Sequence, residues 1–277
     1  MDTSALPGAT PVPVTILGAA GRMGCALVRG VAARPNAIRL AAALERPDSP
    51  ALGHDAGVVA GIEPAGVVLT ADPEEAFAAS RVAIDFTFHT AVPASIRRAA
   101  AKGCAYVLGT TALDEAELAV VREAAERIPV VHAANMSLGV NVLLDLVRRA
   151  AGILGLDYDA EIVEMHHRHK KDAPSGTALA LGAALAEGRG QRLDEALVNG
   201  RAGVVGERPR GEIAIHALRG GDVVGDHTVI FAADGERVEI AHRASSRECF
   251  VGGALMAAQW LVGRAPGLYS MRDVLGL

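Results

Sequence analysis

Short apolar runs alternate with amphipathic stretches through the first half of the chain. Each run is four to seven residues long, as expected of strands that are buried on both faces of a sheet. The runs occupy positions 14–17, 38–44, 67–70, 82–86, 105–108 and 129–132. Helical patterns follow four of them: one after Gly24, a short one opened by Asp72-Pro73-Glu74-Glu75, and longer ones at 89–102 and 114–127. This alternation predicts a parallel sheet with helices on its faces.

The second half of the chain changes character after a long helical pattern at 138–154. The patterns that follow are a strand at 160–165, a helix at 177–186, a polar loop rich in Arg and Gly at 188–211, and strands at 213–218, 223–232 and 237–242. One strand, a helix and three further strands predict a mixed open sheet. A helical pattern at 251–262 and a short turn at 271–275 are expected to return to the first sheet and pack on it.

A glycine-rich turn comes directly after the first apolar run. It reads Gly18-Ala19-Ala20-Gly21-Arg22-Met23-Gly24, with Ala20 in place of the middle glycine of the commoner G-x-G-x-x-G pattern. Such a turn lets the backbone approach a pyrophosphate, and free amides and the helix dipole then bind the anion. Many sharp strand-to-helix turns look similar, so the turn by itself leaves a structural role open.

The second apolar run ends in Glu45-Arg46, 21 residues after Gly24. An acid at this position holds the adenosine ribose hydroxyls of a dinucleotide, and a neighbouring arginine can meet a 2′-phosphate. The pair predicts NADPH or NADH as cofactor, and a solvated charged turn is the alternative.

Small and polar residues gather after two later strands, where an open parallel sheet binds its ligands. Gly109–Thr111 and Ala134–Ser137 are therefore candidate contacts for the nicotinamide and its ribose, although plain turns would also explain them.

These observations predict an α/β protein of two domains. We expect a Rossmann-type parallel-sheet nucleotide domain at 14–136 and 247–277, and a smaller α+β domain with a mixed open sheet at 137–246. Residues 1–13, which hold three prolines, one acid and no base, are expected to form a mobile tail.

One segment of the second domain concentrates groups that can transfer protons and bind anions. Three histidines and three cationic side chains fall within six positions, 166–171. Histidine is the side chain whose ordinary pKa, about 6.5, lies near neutrality, which suits His166 or His167 to proton transfer. Lys170 lies among other cations, which favours release of its proton. The Ser175 and Thr177 hydroxyls, with the amides of Gly176 and Thr177, form an anion cup at a helix start, so the substrate is expected to carry carboxylates.

The same residue types are compatible with three other interpretations of this segment. His166, His167 and His169 could form a zinc site, but the neighbouring cations oppose a dication, and adjacent histidines at a strand end point to opposite faces. A solvated basic loop stays open as an alternative. A serine hydrolase is disfavoured because no G-x-S-x-G motif surrounds Ser175. We therefore expect no metal.

The composition of the chain limits its core residues, its classes of partner and its compartment. The chain has 277 residues, enough for two domains, and is 51% hydrophobic with only 3% aromatic residues, so its core is expected to be mostly Ala, Val, Leu and Ile. A formal charge of −5 argues against nucleic-acid binding, and no apolar run is long enough to span a membrane. Cys25, Cys104 and Cys249 lie far apart without metal spacing, which predicts a reduced, cytoplasmic setting.

The segment His166–Ala178 closely resembles the signature of the 4-hydroxy-tetrahydrodipicolinate reductase (dihydrodipicolinate reductase) family of bacterial lysine and diaminopimelate biosynthesis. The resemblance covers nearly all of 14–275. Its other motifs are Gly18–Gly24, Leu44–Arg46, Asp85–Thr87, Gly109–Thr111, Ala134–Asn135, Gly221–Gly225 and Ala244–Arg247.

The resemblance implies a role for each of these groups. His166 would be the catalytic proton donor or acceptor and Lys170 the proton donor. A carboxylate of the cyclic dicarboxylate substrate would be held by His167, Gly176 and Thr177. The implied contacts of the dinucleotide are Gly18, Ala19, Ala20, Gly21, Arg22, Met23, Glu45, Arg46, Gly109, Thr110, Thr111, Ala134, Asn135, Met136 and Ser137.

The resemblance also implies a reaction and an assembly. Hydride from NADPH or NADH would reach the substrate ring, with protonation at the neighbouring carbon and loss of the hydroxyl as water. The family is usually a homotetramer assembled through the sheets of its substrate domains, so the second domain is expected to serve oligomerisation as well as substrate binding.

Four residues depart from the family pattern: Phe88-His89 stands where an Arg-Pro pair is common, Ala112 where a glycine is common, and Met136 where an aromatic residue is frequent. Two other functions stay possible on the sequence, a non-catalytic NAD(P)-binding sensor and another two-domain dehydrogenase. The second would need a catalytic thiol or a Lys-Pro pair, which the sequence does not offer. Arg168, His169 and Lys171 have no assigned role.

Overall fold

The computed structural model describes residues 10–277, which form two sheets and the helices that cover them. In chain order the strands are β1 (Val12–Leu17), β2 (Ile38–Leu44), β3 (Leu69–Thr70), β4 (Val82–Asp85), β5 (Ala105–Leu108), β6 (Pro129–His132), β7 (Asp159–His166), β8 (Leu197–Asn199), β9 (Ile213–Arg219), β10 (Gly225–Ala233), β11 (Glu236–Ala244) and β12 (Gly267–Tyr269). The helices are α1 (Arg22–Ala32), α2 (Ala56–Val59), α3 (Pro73–Ala78), α4 (Val92–Ala101), α5 (Glu115–Ala125), α6 (Leu138–Leu154), α7 (Gly176–Arg189), α8 (Leu193–Ala196), α9 (Glu248–Leu261) and α10 (Met271–Leu275), with a 3-10 turn at His89–Ala91 before α4.

The first sheet is parallel throughout and has the order β12-β6-β5-β4-β1-β2-β3. β1 and β4 are neighbours at the centre of the sheet. β2 and β3 follow on the side of β1, and in the opposite direction β5, β6 and β12 follow on the side of β4. An open sheet binds its ligands beside such a reversal, at the carboxyl ends of the strands. The glycine turn follows β1 at this position.

Helices cover both faces of this sheet, because its central strands are apolar on both sides. α1, α9 and α10 pack on one face, where Leu27, Val251 and Leu255 are buried in one cluster. α3, α4 and α5 pack on the other face around Tyr106 and Leu108. α9 and α10 belong to this first compact unit, which ends at Leu138 and resumes at Glu248–Gly276.

The second unit, Gly139–Arg247, contains the mixed sheet with the order β11-β10-β7-β9-β8. β10 is antiparallel to both β7 and β11, whereas β9 is parallel to both β7 and β8. α6 and α7 supply Leu143, Val147, Leu181 and Leu185 to the core over this sheet. The predicted fold class, α/β with a Rossmann-type parallel sheet and a second mixed sheet, is confirmed.

Alternate residues of β7 are buried, and this pattern continues through its polar end. Ile162, Glu164 and His166 share the covered face, and on the neighbouring β10 so do His227 and Phe231. A strand turns every second side chain to the same face. The strand therefore carries a carboxylate and an imidazole into the layer that α7 covers.

Several short elements were not predicted. α2, α8, β8 and β12 are three or four residues long, too short for a hydrophobic period, and β8 lies inside the stretch 188–211 predicted as loop. β1 begins at Val12, two residues before the predicted start, so the end of the predicted tail is sheet. Residues 1–9 of that tail lie outside the described residues. Within 10–277 no helix is long and apolar enough to cross a membrane.

Candidate active site

The turn after β1 brings two stretches of backbone together at a distance that only glycine permits. Gly18 has a φ of +65°, and the amide of Gly21 donates to its carbonyl at 2.9 Å. A Cβ on Gly24 would lie 2.1 Å from the Gly18 carbonyl oxygen and 2.6 Å from the Cα of Ala19. The first turn of α1 is thus packed directly on the glycine turn.

The start of α1 is open to an anion. The N-cap is Gly21, which has no side chain to accept from the first amides, and no acidic residue lies in the first turn. Gly21 and Arg22 are exposed, Ala20 and Met23 are half-buried, and Ala19 is buried. Free amides with the helix dipole favour a phosphate here.

Glu45 reaches back from the end of β2 to this turn. Its carboxylate accepts from the amide of Ala20 at 3.0 Å and, through its other oxygen, from the amide of Arg46 at 3.0 Å. The side chain of Arg46 is exposed and lies 3.3 Å from Asp48. The acid is therefore held beside the turn, and the arginine extends into solvent next to it.

A cavity of about 1110 Å³ runs along this edge of the first sheet. Its walls include Gly18, Ala20, Gly21, Glu45, Arg46 and Thr87. The cavity lies within the first unit, and its size and its acid, arginine and free amides fit a dinucleotide.

The end of β4 is fixed beside this cavity by a buried carboxylate. Asp85 is fully buried and accepts from the Thr87 amide at 2.7 Å, the Thr87 hydroxyl at 2.6 Å and the Tyr106 hydroxyl at 2.6 Å. Burial and the adjacent Asp85 raise the pKa of Tyr106 well above its ordinary value, so this hydroxyl stays a donor. The loop that carries Phe86 and Thr87 is therefore held by two hydrogen bonds to Asp85, whose carboxylate is fixed in turn by Tyr106.

The predicted contacts after β5 lie next to that loop. A Cβ on Gly109 would meet the Phe86 ring at 2.2 Å, so only glycine lets the ring lie against this backbone. The Thr110 hydroxyl donates to the Thr87 carbonyl at 3.2 Å, and Thr111 is exposed. Ala112 has a φ of +63°, a left-handed conformation that favours glycine.

The predicted contacts after β6 divide into exposed and buried residues. Ala134 is exposed, and the side chain of Asn135 accepts from the Ser137 amide at 2.8 Å. Met136 and Ser137 are each only 1% exposed, and a Cβ on Gly253 would lie 1.7 Å from the Met136 carbonyl. The side chains of Met136 and Ser137 are thus packed inside, and a dinucleotide contact by this segment stays a prediction.

In the second unit, Glu164 and His166 form a buried pair at the end of β7. Nδ1 of His166 lies 2.6 Å from Oε2 of Glu164, and the amide of Ser175 donates to Oε1 at 3.0 Å. A carboxylate only accepts hydrogen bonds, so Nδ1 of His166 is the donor.

Arg219 holds the same carboxylate from the neighbouring strand β9. Its Nη1 donates to Oε2 of Glu164 at 2.8 Å and its Nη2 to Oε1 at 2.9 Å. Burial would raise the pKa of Glu164, but the hydrogen bonds from Arg219 and His166 outweigh it and hold that pKa below its ordinary value. The buried glutamate is therefore ionised.

Lys170 is paired as well. Its Nζ lies 2.9 Å from Oδ2 of Asp172, and this hydrogen bond holds the pKa of Asp172 below its usual range. The carbonyl of Asp172 accepts from Nη2 of Arg219 at 2.6 Å. The ammonium group thus has an anionic partner in addition to its cationic neighbours. Nδ1 of His167 is buried and has no hydrogen-bond partner among residues 10–277, which fits its predicted role in holding a ligand.

Ser175 caps α7. Its hydroxyl accepts from the Ala178 amide at 3.1 Å and lies 3.1 Å from Nε2 of His227. Ser175 is 2% exposed, whereas Gly176 is exposed and Thr177 half-buried. The hydroxyl of Ser175 is therefore engaged within the protein, and its predicted contact with substrate stays a prediction.

His227 fills the space between the helix cap and the catalytic candidate. It is 4% exposed, and its ring meets that of His166 edge-on at a centroid distance of 5.2 Å. Burial, with the nearby His166, lowers the pKa of His227 to about 4. This histidine is therefore neutral at physiological pH.

The buried, neutral His227 is expected to make the folded chain less stable in mild acid. Its pKa in the unfolded chain is near 6.5 and in the folded chain about 4, so the unfolded state binds more protons between these values. The contribution of the neutral imidazole to the free energy of unfolding is complete above pH 6.5. It is lost as the pH falls toward 4, by about 1.4 kcal/mol per pH unit at its steepest. Urea unfolding at pH 7 and pH 5 measures this loss.

His227→Gln is the comparison for that measurement, because an amide can still bond to Ser175 but does not titrate. The loss of stability between pH 7 and pH 5 should be smaller in the variant. An equal loss in both proteins would assign the acid sensitivity to other groups.

Glu164, Arg219, Asp172 and His227 were not predicted as site residues. Glu164 could have been found, because it stands two positions before His166 on a strand and so shares its face. Arg219 could not, because its place opposite His166 depends on the parallel pairing of β7 with β9. No group of three metal-binding side chains is found within the described part of the chain.

Both halves of the chain match family models. Residues 12–136 match the N-terminal domain of dihydrodipicolinate reductase, and residues 139–275 match its C-terminal domain. Together the two matches span nearly the whole described chain.

Relatives that are similar along nearly their whole length are named 4-hydroxy-tetrahydrodipicolinate reductase. The chain is 53% identical over 264 residues to the 4-hydroxy-tetrahydrodipicolinate reductase of Anaeromyxobacter dehalogenans (strain 2CP-1), covering 95% of this chain and 97% of that protein. It is 49% identical over 269 residues to that of Ruegeria pomeroyi, covering 97% and 100%. The solved structure of a dipicolinate-bound dihydrodipicolinate reductase from Paenisporosarcina sp. TG-14 matches with a TM-score of 0.75 at 23% identity, covering 95% of this chain and 98% of that one, and so shares the fold.

Proposed function

The chain belongs to the dihydrodipicolinate reductase family, and on that premise we propose that it reduces 4-hydroxy-tetrahydrodipicolinate to tetrahydrodipicolinate in lysine and diaminopimelate biosynthesis. It is an NAD(P)H-dependent oxidoreductase. The overall change adds a hydride and a proton to the substrate, removes its hydroxyl together with one ring hydrogen as water, and oxidises the dinucleotide. We assign dinucleotide binding to the predicted nucleotide domain, 14–136 with 247–277. Substrate binding is assigned to the predicted substrate domain, 137–246.

The first unit would hold the dinucleotide, which supplies the hydride when bound. The amides at the start of α1 would bind its phosphates, Glu45 its adenosine ribose and Arg46 a 2′-phosphate. The segments Gly109–Thr111 and Ala134–Ser137 would meet its nicotinamide end. The cavity along this edge and the placement of Glu45 at 3.0 Å from the Ala20 amide support these roles.

The second unit would bind a substrate carboxylate at the start of α7. The amides of Gly176 and Thr177 and the side chain of His167 are the proposed ligands, with the helix dipole favouring the anion. Ser175 would contribute by capping the helix and by fixing the cup, since its hydroxyl already bonds to Ala178.

Proton transfer is the proposed role of His166 and Lys170. This proposal rests on one observation: the two side chains lie in the same segment, directly before the start of α7, and each is paired with a carboxylate. Glu164 lies 2.6 Å from His166, and Asp172 lies 2.9 Å from Lys170. A bound dicarboxylate would thus meet two groups that can donate protons beside its own anion site.

The test is a direct assay with the purified full-length chain, NADPH or NADH and freshly made 4-hydroxy-tetrahydrodipicolinate. We expect the absorbance of the reduced nicotinamide to fall with either cofactor, and dipicolinate to inhibit competitively against the substrate. If the chain binds NADPH but neither cofactor is oxidised, it acts as a nucleotide sensor and the proposal is wrong.

Arg46→Ala is expected to weaken NADPH binding by about tenfold, which corresponds to about 1.4 kcal/mol, while leaving NADH binding nearly unchanged. The guanidinium is exposed beside the ribose site and carries the positive charge that a 2′-phosphate would meet. Titration calorimetry with both cofactors measures the difference. Arg39→Ala is the control, since Arg39 is also exposed but lies near the amino end of β2, whereas Arg46 follows its carboxyl end. Equal weakening of NADH binding would contradict the assignment.

We further propose a cytoplasmic homotetramer assembled through the sheet of the second unit. β11 is an edge strand of that sheet and is mostly exposed, including Val238 at 40%. Unpaired edges with exposed apolar side chains favour association. The free thiols Cys25, Cys104 and Cys249 fit a reducing compartment. Sedimentation equilibrium of the purified chain tests the assembly, and a monomer would contradict it.

A further inference from the structure

Arg219, on β9, is bonded to the partners of both proton-handling side chains. We propose that Arg219 is a positioning residue that holds His166 and Lys170 in one arrangement. The inference rests on the proton-transfer roles given under the proposed function, and it assigns a role to a residue on a different strand from either of them.

The first connection passes through Glu164. The guanidinium binds both oxygens of this carboxylate, at 2.8 and 2.9 Å, and Oε2 also accepts from Nδ1 of His166 at 2.6 Å. With Nδ1 committed as the donor to Glu164, the remaining nitrogen, Nε2, is the atom left to exchange a proton with a substrate. The pair therefore sets both the ring orientation and the working nitrogen.

The second connection passes through Asp172. Nη2 of Arg219 donates to the Asp172 carbonyl at 2.6 Å, and the Asp172 carboxylate lies 2.9 Å from Nζ of Lys170. Residues 167–174 form neither helix nor strand. A bond from the neighbouring strand to this irregular segment therefore limits where Asp172, and with it the ammonium group, can lie.

Only an arginine can make this set of contacts. The planar guanidinium offers donors in a fixed fork that matches a carboxylate, and one of its nitrogens has a second donor for the carbonyl. A lysine in the same place would present one compact ammonium group and could not span the three acceptors. The register of the sheet sets Arg219 opposite His166 in the parallel pair of β7 and β9, so the guanidinium reaches Glu164 across adjacent strands.

Arg219→Lys in the full-length chain tests the inference. We expect kcat to fall by roughly 10- to 100-fold, as for other groups that orient a reacting side chain, with the NADPH KM changed less than about twofold. Arg201→Lys is the matched control, because Arg201 binds Glu161 on the same strand β7 with the same two-bond geometry, at 2.9 and 3.0 Å. It is expected to keep kcat within about twofold of wild type.

The pH dependence of kcat in Glu164→Gln distinguishes positioning of His166 from a purely structural role. Glu164 and His227 face the His166 ring directly, Arg219 reaches it through Glu164, and Lys170 and His242 lie near His227. Removing the negative charge of Glu164 makes the imidazolium less favourable, so the high-pH limb of the kcat profile should shift to lower pH. The amide side chain keeps the shape of the site, so this variant decides the question even if Arg219→Lys does not fold.

Two results would overturn the inference. One is wild-type kcat and an unchanged pH profile in Arg219→Lys and Glu164→Gln. The other is an equal fall in kcat in the Arg219 and Arg201 variants, with the pH profile unmoved in Glu164→Gln, since this would make the arginine a general support of the sheet. Absence of turnover by the wild-type chain would instead overturn the proposed function, and this inference with it.

Discussion

His166→Ala should lower kcat by roughly 10²–10⁴-fold and leave NADPH binding nearly unchanged, and Lys170→Ala should do the same. The reason is that each change removes a proton-handling group from the second unit and no group from the dinucleotide cavity of the first. The fold should survive the histidine change, because Glu164 keeps its two hydrogen bonds from Arg219 and is not left as an unpaired buried charge.

Steady-state kinetics and NADPH titration of each variant check this result. His216→Ala is the matched control for His166→Ala: Nε2 of His216 lies 2.6 Å from Glu161, the same distance that separates His166 from Glu164, on the same sheet but outside the site. A similar loss of kcat in the control would mean that histidine–glutamate pairs of this sheet are structural. Equal losses of turnover and NADPH binding would likewise contradict the catalytic assignment.

Gly24→Ala is the second change for which we expect a large effect. The new Cβ would lie 2.1 Å from the Gly18 carbonyl oxygen and 2.6 Å from the Cα of Ala19, and backbone atoms cannot rotate away as a side chain can. The turn must therefore move off the start of α1. We expect a loss of about 1–3 kcal/mol in unfolding free energy and NADPH and NADH binding weaker by about 10- to 100-fold, since every 1.4 kcal/mol is tenfold in affinity.

Gly252→Ala is the control for that change. Gly252 also lies within a helix of the first unit, α9, but a Cβ there would meet nothing within 4 Å, and alanine should stabilise the helix by about 0.5–1 kcal/mol. Urea unfolding and cofactor titration of both variants measure the contrast. If Gly24→Ala bound both cofactors like wild type, the glycine turn would not be the phosphate site.

The nucleotide half was largely readable from local pattern, because its signals are local. A buried parallel strand is a short apolar run, and β2 was predicted with its observed bounds, Ile38–Leu44. A turn that needs glycine shows glycines, and Gly18 and Gly24 are both required by the geometry found. β12 was missed, because its three residues join the sheet only through pairing with β6.

The histidine segment was visible in the sequence as a set of residue types, but not as a set of contacts. Proximity along the chain and residue chemistry identified His166 or His167, Lys170 and the helix start as candidates for proton transfer and anion binding, and the resemblance then assigned the catalytic role to His166. Proximity could not show that Ser175 is buried with its hydroxyl bonded to Ala178, because burial depends on what packs above the residue.

The sequence alone determined the alternation of elements, the glycine turn with Glu45 and Arg46, and the segment that carries His166 and Lys170, since each is encoded by residues close together in the chain. The tertiary structure decided which groups act on that segment. Glu164 is ionised, His227 is neutral and Arg219 reaches both Glu164 and Asp172 because β9 and β10 lie on either side of β7. Strand pairing brings together residues more than fifty positions apart, and no local pattern records such a pairing.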